Sequence, residues 1–359
     1  MVRERRRRWA VVVTVATASA AALCAVAALP ACSTFTEAAD DGGAGADAEG
    51  GAPQGDAARV DGGARPLLSG ERQVGRLAVD ETYVYYTQRF SNGAVMRVAK
   101  SGGEATPFAP AITPNAIGIQ GTTLYVTSGM ARKVIAYDLV NGVVIGAHTA
   151  VAPTEIAVDA VGVIFVESGG ATEAGAYLLP LALGATRSEV STNPNPVAVA
   201  LGPMNAYVAF NTSPPQVRRH TRVGGNNSTQ GKAGESPIVA MDVDNSSVLF
   251  ASGSKLLALE VQFASLATPT LVRDFGPGAQ VTAIISAGAT SFIAVRSSDF
   301  VASIYSLPAS AAASWPMTPP IATIEGCSAR DLEKDLDTVF VLCEAINEAG
   351  SIWAVPRPR

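Results

Sequence analysis

Four cysteines and two histidines are the scarcest reactive groups in this 359-residue chain. Cys24 and Cys32 lie near the start, while Cys327 and Cys343 stand symmetrically about Asp335. The last two lack the Cys-x-x-Cys spacing of a redox pair. A hairpin turning at Asp335 would bring them face to face, as a disulfide staple in an oxidising compartment. His148 and His220 have no Gly-x-Ser-x-Gly motif beside them and no evident acidic partner, so both read as solvated surface residues. With no Cys-x-x-Cys pair there is little material for zinc, and no metal or other cofactor is expected. Asp242-x-Asp244-Asn245-Ser246 begins like a calcium loop but lacks the glycine and glutamate such loops require. Asp, Asn and Ser there suit a hairpin turn. No catalytic residue can be nominated.

Composition narrows the class further. Charged residues are only 16% of the chain, against 48% hydrophobic, with 34 Gly and 22 Pro. So few charges exclude a nucleic-acid binder and a long coiled coil. The basic run Arg218-Arg219-His220-Thr221-Arg222 has no interleaved aromatics and reads as one exposed strand.

The chain opens with five arginines among residues 3–8, followed by an apolar or small stretch over residues 9–29. That is the layout of an export signal. Its end, Leu29-Pro30-Ala31-Cys32-Ser33, resembles a bacterial lipobox, which implies lipidation of Cys32 as the mature N-terminus. Plain cleavage after Ala31 and a retained membrane span are the alternatives. All three take the chain out of the cytoplasm, to the outer membrane, a periplasm-facing surface or the medium. Of 26 basic and 31 acidic residues, five arginines and Glu4 lie in residues 1–32, leaving a mature chain of 21 against 30. Residues 33–64, rich in Ala, Gly and Asp, have too few apolar side chains to offset ordering entropy and are expected to be a disordered tether.

From residue 65 onward the sequence repeats. Seven units, each an apolar run, a turn and a second apolar run, start near Leu77, Ile117, Ile156, Val197, Ile238, Ala283 and Arg330, about 40 to 46 residues apart. Runs of five to seven residues rich in Val, Ile, Tyr and Phe, separated by Asp, Gly, Asn or Ser, are strand-turn-strand signals. The first unit predicts strands over 75–80, 83–88, 94–99 and 105–109, with Asn92-Gly93 as a turn. Four antiparallel strands per repeat of this length predict an all-β, seven-bladed β-propeller over 65–359. Six blades are the alternative, if the weaker fourth or sixth unit is discounted.

Residues 350–357 match 93–100 position by position, yet the chain then stops, leaving the last blade one strand short. Arg65-Pro66-Leu67-Leu68 is placed to supply it and close the ring. In the first unit, Val84-Tyr85-Tyr86-Thr87, Asn92-Gly93-Ala94-Val95-Met96-Arg97-Val98 and Lys100-Ser101-Gly102-Gly103 resemble the repeat of secreted bacterial propellers of the YWTD and NHL types. The resemblance implies fold and export.

In such a ring the first strand of each blade lines a central channel, and the residues just before it rim one mouth. These are Arg76, Asn115, Glu155, Asn195, Gln280 and Arg330, a candidate binding rim with one carboxylate and two arginines. A further reading of the rim is a small anion held by Arg76 and Arg330. The expected function is non-enzymatic binding or scaffolding at the cell envelope by a lipid-tethered monomer, whose partner is a protein or small ligand. A propeller hydrolase or lyase acting at the channel mouth is the alternative. Carboxylates converging on that mouth would favour it.

Overall fold

The computed structural model describes residues 60–61, 63–109, 113–168, 174–184, 186–193, 195–222, 228–232, 236–308, 318–347 and 349–358. The export signal, Cys32 and all but the end of the expected tether lie outside them. Seven antiparallel sheets follow one another in the chain around a central channel, forming a seven-bladed β-propeller. The fourth and sixth units, weakest in sequence, are complete blades, so the six-bladed alternative does not hold.

The first blade shows how the repeat folds. Its strands are Val74–Val79, Tyr83–Gln88, Val95–Ala99 and Thr106–Ala109, counted outward from the channel. Asp80 ends the first strand, and its carboxylate accepts the backbone N–H groups of Thr82 and Tyr83 at 2.7 and 2.6 Å. This Asx turn is why an aspartate recurs at that place. Asp159, Asp244 and Asp335 cap the same turn in their own blades, and Asp138 caps a turn after a third strand.

The second strand of each blade is covered on both faces by neighbouring blades. Val163–Glu167 and Asn205–Phe210 are buried along their whole length. Double-sided burial explains their near-continuous apolar runs, where a half-exposed strand would alternate. Tyr85, Phe165, Phe210, Phe250, Phe292 and Phe340 are all fully buried on these strands. Burying each such ring is worth about 1.5–3 kcal/mol. Fourth strands such as Thr106–Ala109, Val144–Thr149 and Ser188–Ser191 are largely exposed, whereas Ala322–Ile324 of the sixth blade is mostly buried.

Ring closure follows the sequence expectation. Arg65–Arg72 pairs antiparallel with Ala349–Pro356, running from Arg65 opposite Ala354 to Arg72 opposite Ala349. Just upstream, Val60–Asp61 pairs with Ile324 and Thr323 and adds a fifth strand to the sixth blade. Among the described residues, strand pairing thus begins five residues before the expected start of the domain.

Every inner strand carries a register shift at its start. The shifts fall between Val74 and Leu77, Pro114 and Ala116, Pro153 and Glu155, Pro196 and Ala198, Ile238 and Ala240, Val281 and Ala283, and Ala329 and Asp331. A bulge leaves one residue unpaired and re-aims its side chain. Seven bulges at one level therefore decide which side chains rim the channel.

Candidate functional site

The bulges place Arg76, Asn115, Thr154, Val197, Val239, Thr282 and Arg330 at equivalent positions around one channel mouth. Three of the six rim residues expected from sequence, Arg76, Asn115 and Arg330, are among them. Glu155 lies one residue deeper than its bulged residue, while Asn195 and Gln280 each lie two residues before theirs. The offset arises because the extra residue shifts the in-out alternation.

Arg76 holds the centre of this arrangement. Its Nε and Nη2 donate to Glu155 at 3.1 and 2.5 Å, bridging the first and third blades. Its Nη1 donates to the Arg330 carbonyl at 3.3 Å and lies 3.6 Å from Asp331. The Glu155 carboxylate holds the Arg76 guanidinium still more firmly protonated. The remaining rim groups turn to their own neighbours. Asn115 Nδ2 donates to the Pro153 carbonyl at 2.8 Å. Gln280 Oε1 accepts from Arg296 at 2.6 Å, and Arg330 pairs with Glu344 of its own blade. Asn195 takes a left-handed conformation with φ of 60° and accepts the Asn211 N–H through its carbonyl.

Below the rim, a channel cavity of about 350 Å³ reveals carboxylates that rim reasoning missed. Asp331, Glu333 and Asp242 all line it. Asp331 accepts the Leu77 N–H at 2.7 Å and Asp242 the Ser286 N–H at 2.6 Å, each tying one inner strand to the next blade. Lys334 donates to the Ser286 carbonyl beside Asp242. Burial pushes the Asp331 and Asp242 carboxyls up to about 6 each, against the pull of Arg76 on Asp331 and of the Ser286 N–H on Asp242. Burial, and then the charge of Asp331, push Glu333 further, to about 8. A carboxyl near 8 is a proton donor at neutral pH. The alternation Asp331-Leu332-Glu333 was the sequence signal, since it puts both acids on one strand face.

A second cavity, of about 190 Å³, opens at the mouth between the sixth, seventh and first blades, and Arg76, Gln280 and Arg330 all line it. Among the described residues, no group of three or more His, Cys, Asp or Glu side chains is arranged to hold a metal ion.

Three expectations need correction. His220 is not a surface residue: it is 4% exposed, and burial drives its imidazole down to about 4. Arg222, in the run expected to be one exposed strand, is buried and forks onto Asp159 of the preceding blade. On a strand between blades alternate residues turn inward, whatever their polarity. Asp242 is not in a hairpin turn; Asp244 caps that turn, and Asp242 lies on the channel strand. His148 stays partly exposed on the outer strand Val144–Thr149. Cys327 and Cys343 form the expected disulfide, and both are buried.

No family model matches the chain, and no curated protein sequence matches it. Solved structures match the fold. The RRP9 WD40 repeats align with a TM-score of 0.64 at 10% identity, covering 84% of this chain and 99% of that one. U3-55K aligns at 0.62 and 12% identity, covering 82% and 98%. The computationally designed Ika8 protein aligns at 0.52 and 10%, covering 81% and 98%. At such identities the likeness establishes the propeller architecture alone.

Proposed function

We propose that this chain is an exported, lipid-anchored propeller that serves as a non-enzymatic binding or scaffolding module at the cell envelope, held off the membrane by the segment between Cys32 and Val60. One observation carries the non-enzymatic part: most polar groups of the channel mouth are engaged with one another. Arg76, Glu155 and Asp331 form one ionic knot, Asn115 caps a neighbouring strand, and Arg330 is paired with Glu344. Such groups fix blades relative to each other, and the faces of the ring are left for partners. The YWTD and NHL resemblance of the first unit and the arginine-led N-terminus support export.

Mass spectrometry of the mature N-terminus tests the anchor. A diacylglyceryl-sized addition on Cys32, lost together with membrane association in Cys32→Ala, is the expected result. An unmodified Cys32 overturns it. The hydrolase or lyase reading draws on one observation, the Glu333 carboxyl raised to about 8 in the channel. If that reading is right, Glu333→Gln abolishes turnover of any substrate found; retained turnover removes it.

A further inference from the structure

We propose that the smaller cavity at the channel mouth binds a small dianion, a phosphomonoester or a short dicarboxylate, gripped by Arg89 and Arg296 beside the carboxylate-paired Arg76 and Arg330. This deepens the binding-module reading and rests on it. The four arginines line the cavity and no Asp or Glu does, in a chain whose net charge is −5. A concavity lined by one sign of charge focuses its field and concentrates counter-ions.

Two of the four charges are already answered. Arg76 faces Glu155 and Asp331, and Arg330 faces Glu344. The other two have no carboxylate partner among the described residues. Arg296 donates to the neutral Gln280 and lies 5.3 Å from the centre of the Phe300 ring. Arg89 is exposed, and no hydrogen bond or ion pair of its guanidinium is found among the described residues. Two uncompensated guanidiniums call for about two negative charges. Their planar forks match the oxygens of a phosphate or carboxylate two at a time.

The backbone is shaped for this grip. A Cβ on Gly75 would lie 2.3 Å from Thr87 Oγ1 and 2.5 Å from Cδ of Arg89, so the glycine leaves room for both side chains beside the cavity. Ser328 and Gln280 add neutral polar groups to the wall. At about 190 Å³ the space is smaller than a drug-sized pocket of roughly 300–1,000 Å³, which selects a short solute.

The test is calorimetric titration of the full chain at constant ionic strength with inorganic phosphate, glycerol 3-phosphate and succinate as separate arms. Saturable one-site binding of at least one of them is expected, weakened about ten-fold or more in Arg89→Ala and in Arg296→Gln. Arg132→Ala, which removes an exposed arginine of the second blade, is expected to leave it unchanged. The arm that binds tightest assigns the chemistry. Absence of saturation with all three up to about 10 mM overturns the proposal. Equal weakening by Arg132→Ala and Arg89→Ala also overturns it, because that marks general screening. Neither outcome bears on lipidation of Cys32, so the two readings fail separately.

Discussion

Glu333 is the residue at which the channel's electrostatics become measurable. Its neighbours are Asp331, Lys334 and Asp242, and burial is the main force raising its carboxyl from 4.5 to about 8. The folded chain then holds a proton that the unfolded chain releases near 4.5, so this contribution to stability is lost as pH rises through that window. His220 acts in the opposite sense. Its imidazole falls from 6.5 to about 4, so stability is lost as pH drops through that range. Above pH 6.5 the Glu333 effect stands alone, since Asp242 and Asp331 reach only about 6. The melting temperature of the wild type is therefore expected to fall between pH 6.5 and 8.5. In Glu333→Gln that fall largely disappears; parallel slopes in the two proteins would refute the assignment. At this scale the sequence was least legible. Arg76 and Glu155 were both singled out for the rim, but nothing in their spacing showed that they pair. Arg89 and Arg296, on second-strand ends in different blades, meet only because the ring curves back on itself.

Among the elements, the hairpin of the seventh blade carries the disulfide. Cys327 and Cys343 are 16 residues apart, and closing a loop of that length stabilises the fold by about 3 kcal/mol in the chain-entropy model. Cys327→Ser, which leaves one thiol, is expected to lower stability by up to that amount in denaturant titrations, and added reductant should lower the wild type to match. Labelling of both wild-type thiols without prior reduction would contradict the bond. The first unit was legible almost to the residue, because Asp80, Asn92-Gly93 and Gly102-Gly103 each punctuate a strand end. The bulges were not legible. They occur in strands as different as Val74–Val79 and Ile238–Val243, so they come from the geometry of inner strands at the channel and leave no composition signal. The closing strand was legible only through symmetry, as the piece that the last unit lacked. A chain beginning at Ala64 is expected to fold with the cooperativity of the whole domain. One beginning at Gln73 loses the partner of Ala349–Pro356, exposes an open edge and should be recovered mainly as aggregate. Equal solubility of the two would show that the closing strand is dispensable.

For the molecule as a whole, seven short repeats with few charges bury their second strands between blades, which accounts for both the high apolar fraction and the many turn glycines. The RRP9 WD40 repeats reach a similar fold at 10% identity. The segment that enters the domain lies along the sixth blade at Val60–Asp61, then along the seventh at Arg65–Arg72, and only afterwards starts the first. Any pull arriving through residues before Val60 therefore loads the closing seam of the ring before any other blade. The two-residue contact with Ile324 and Thr323 would yield first, leaving the longer pairing with Ala349–Pro356 as the remaining restraint. The lead-in is thus also a latch, and tension along it works directly against the bonds that keep the circle shut.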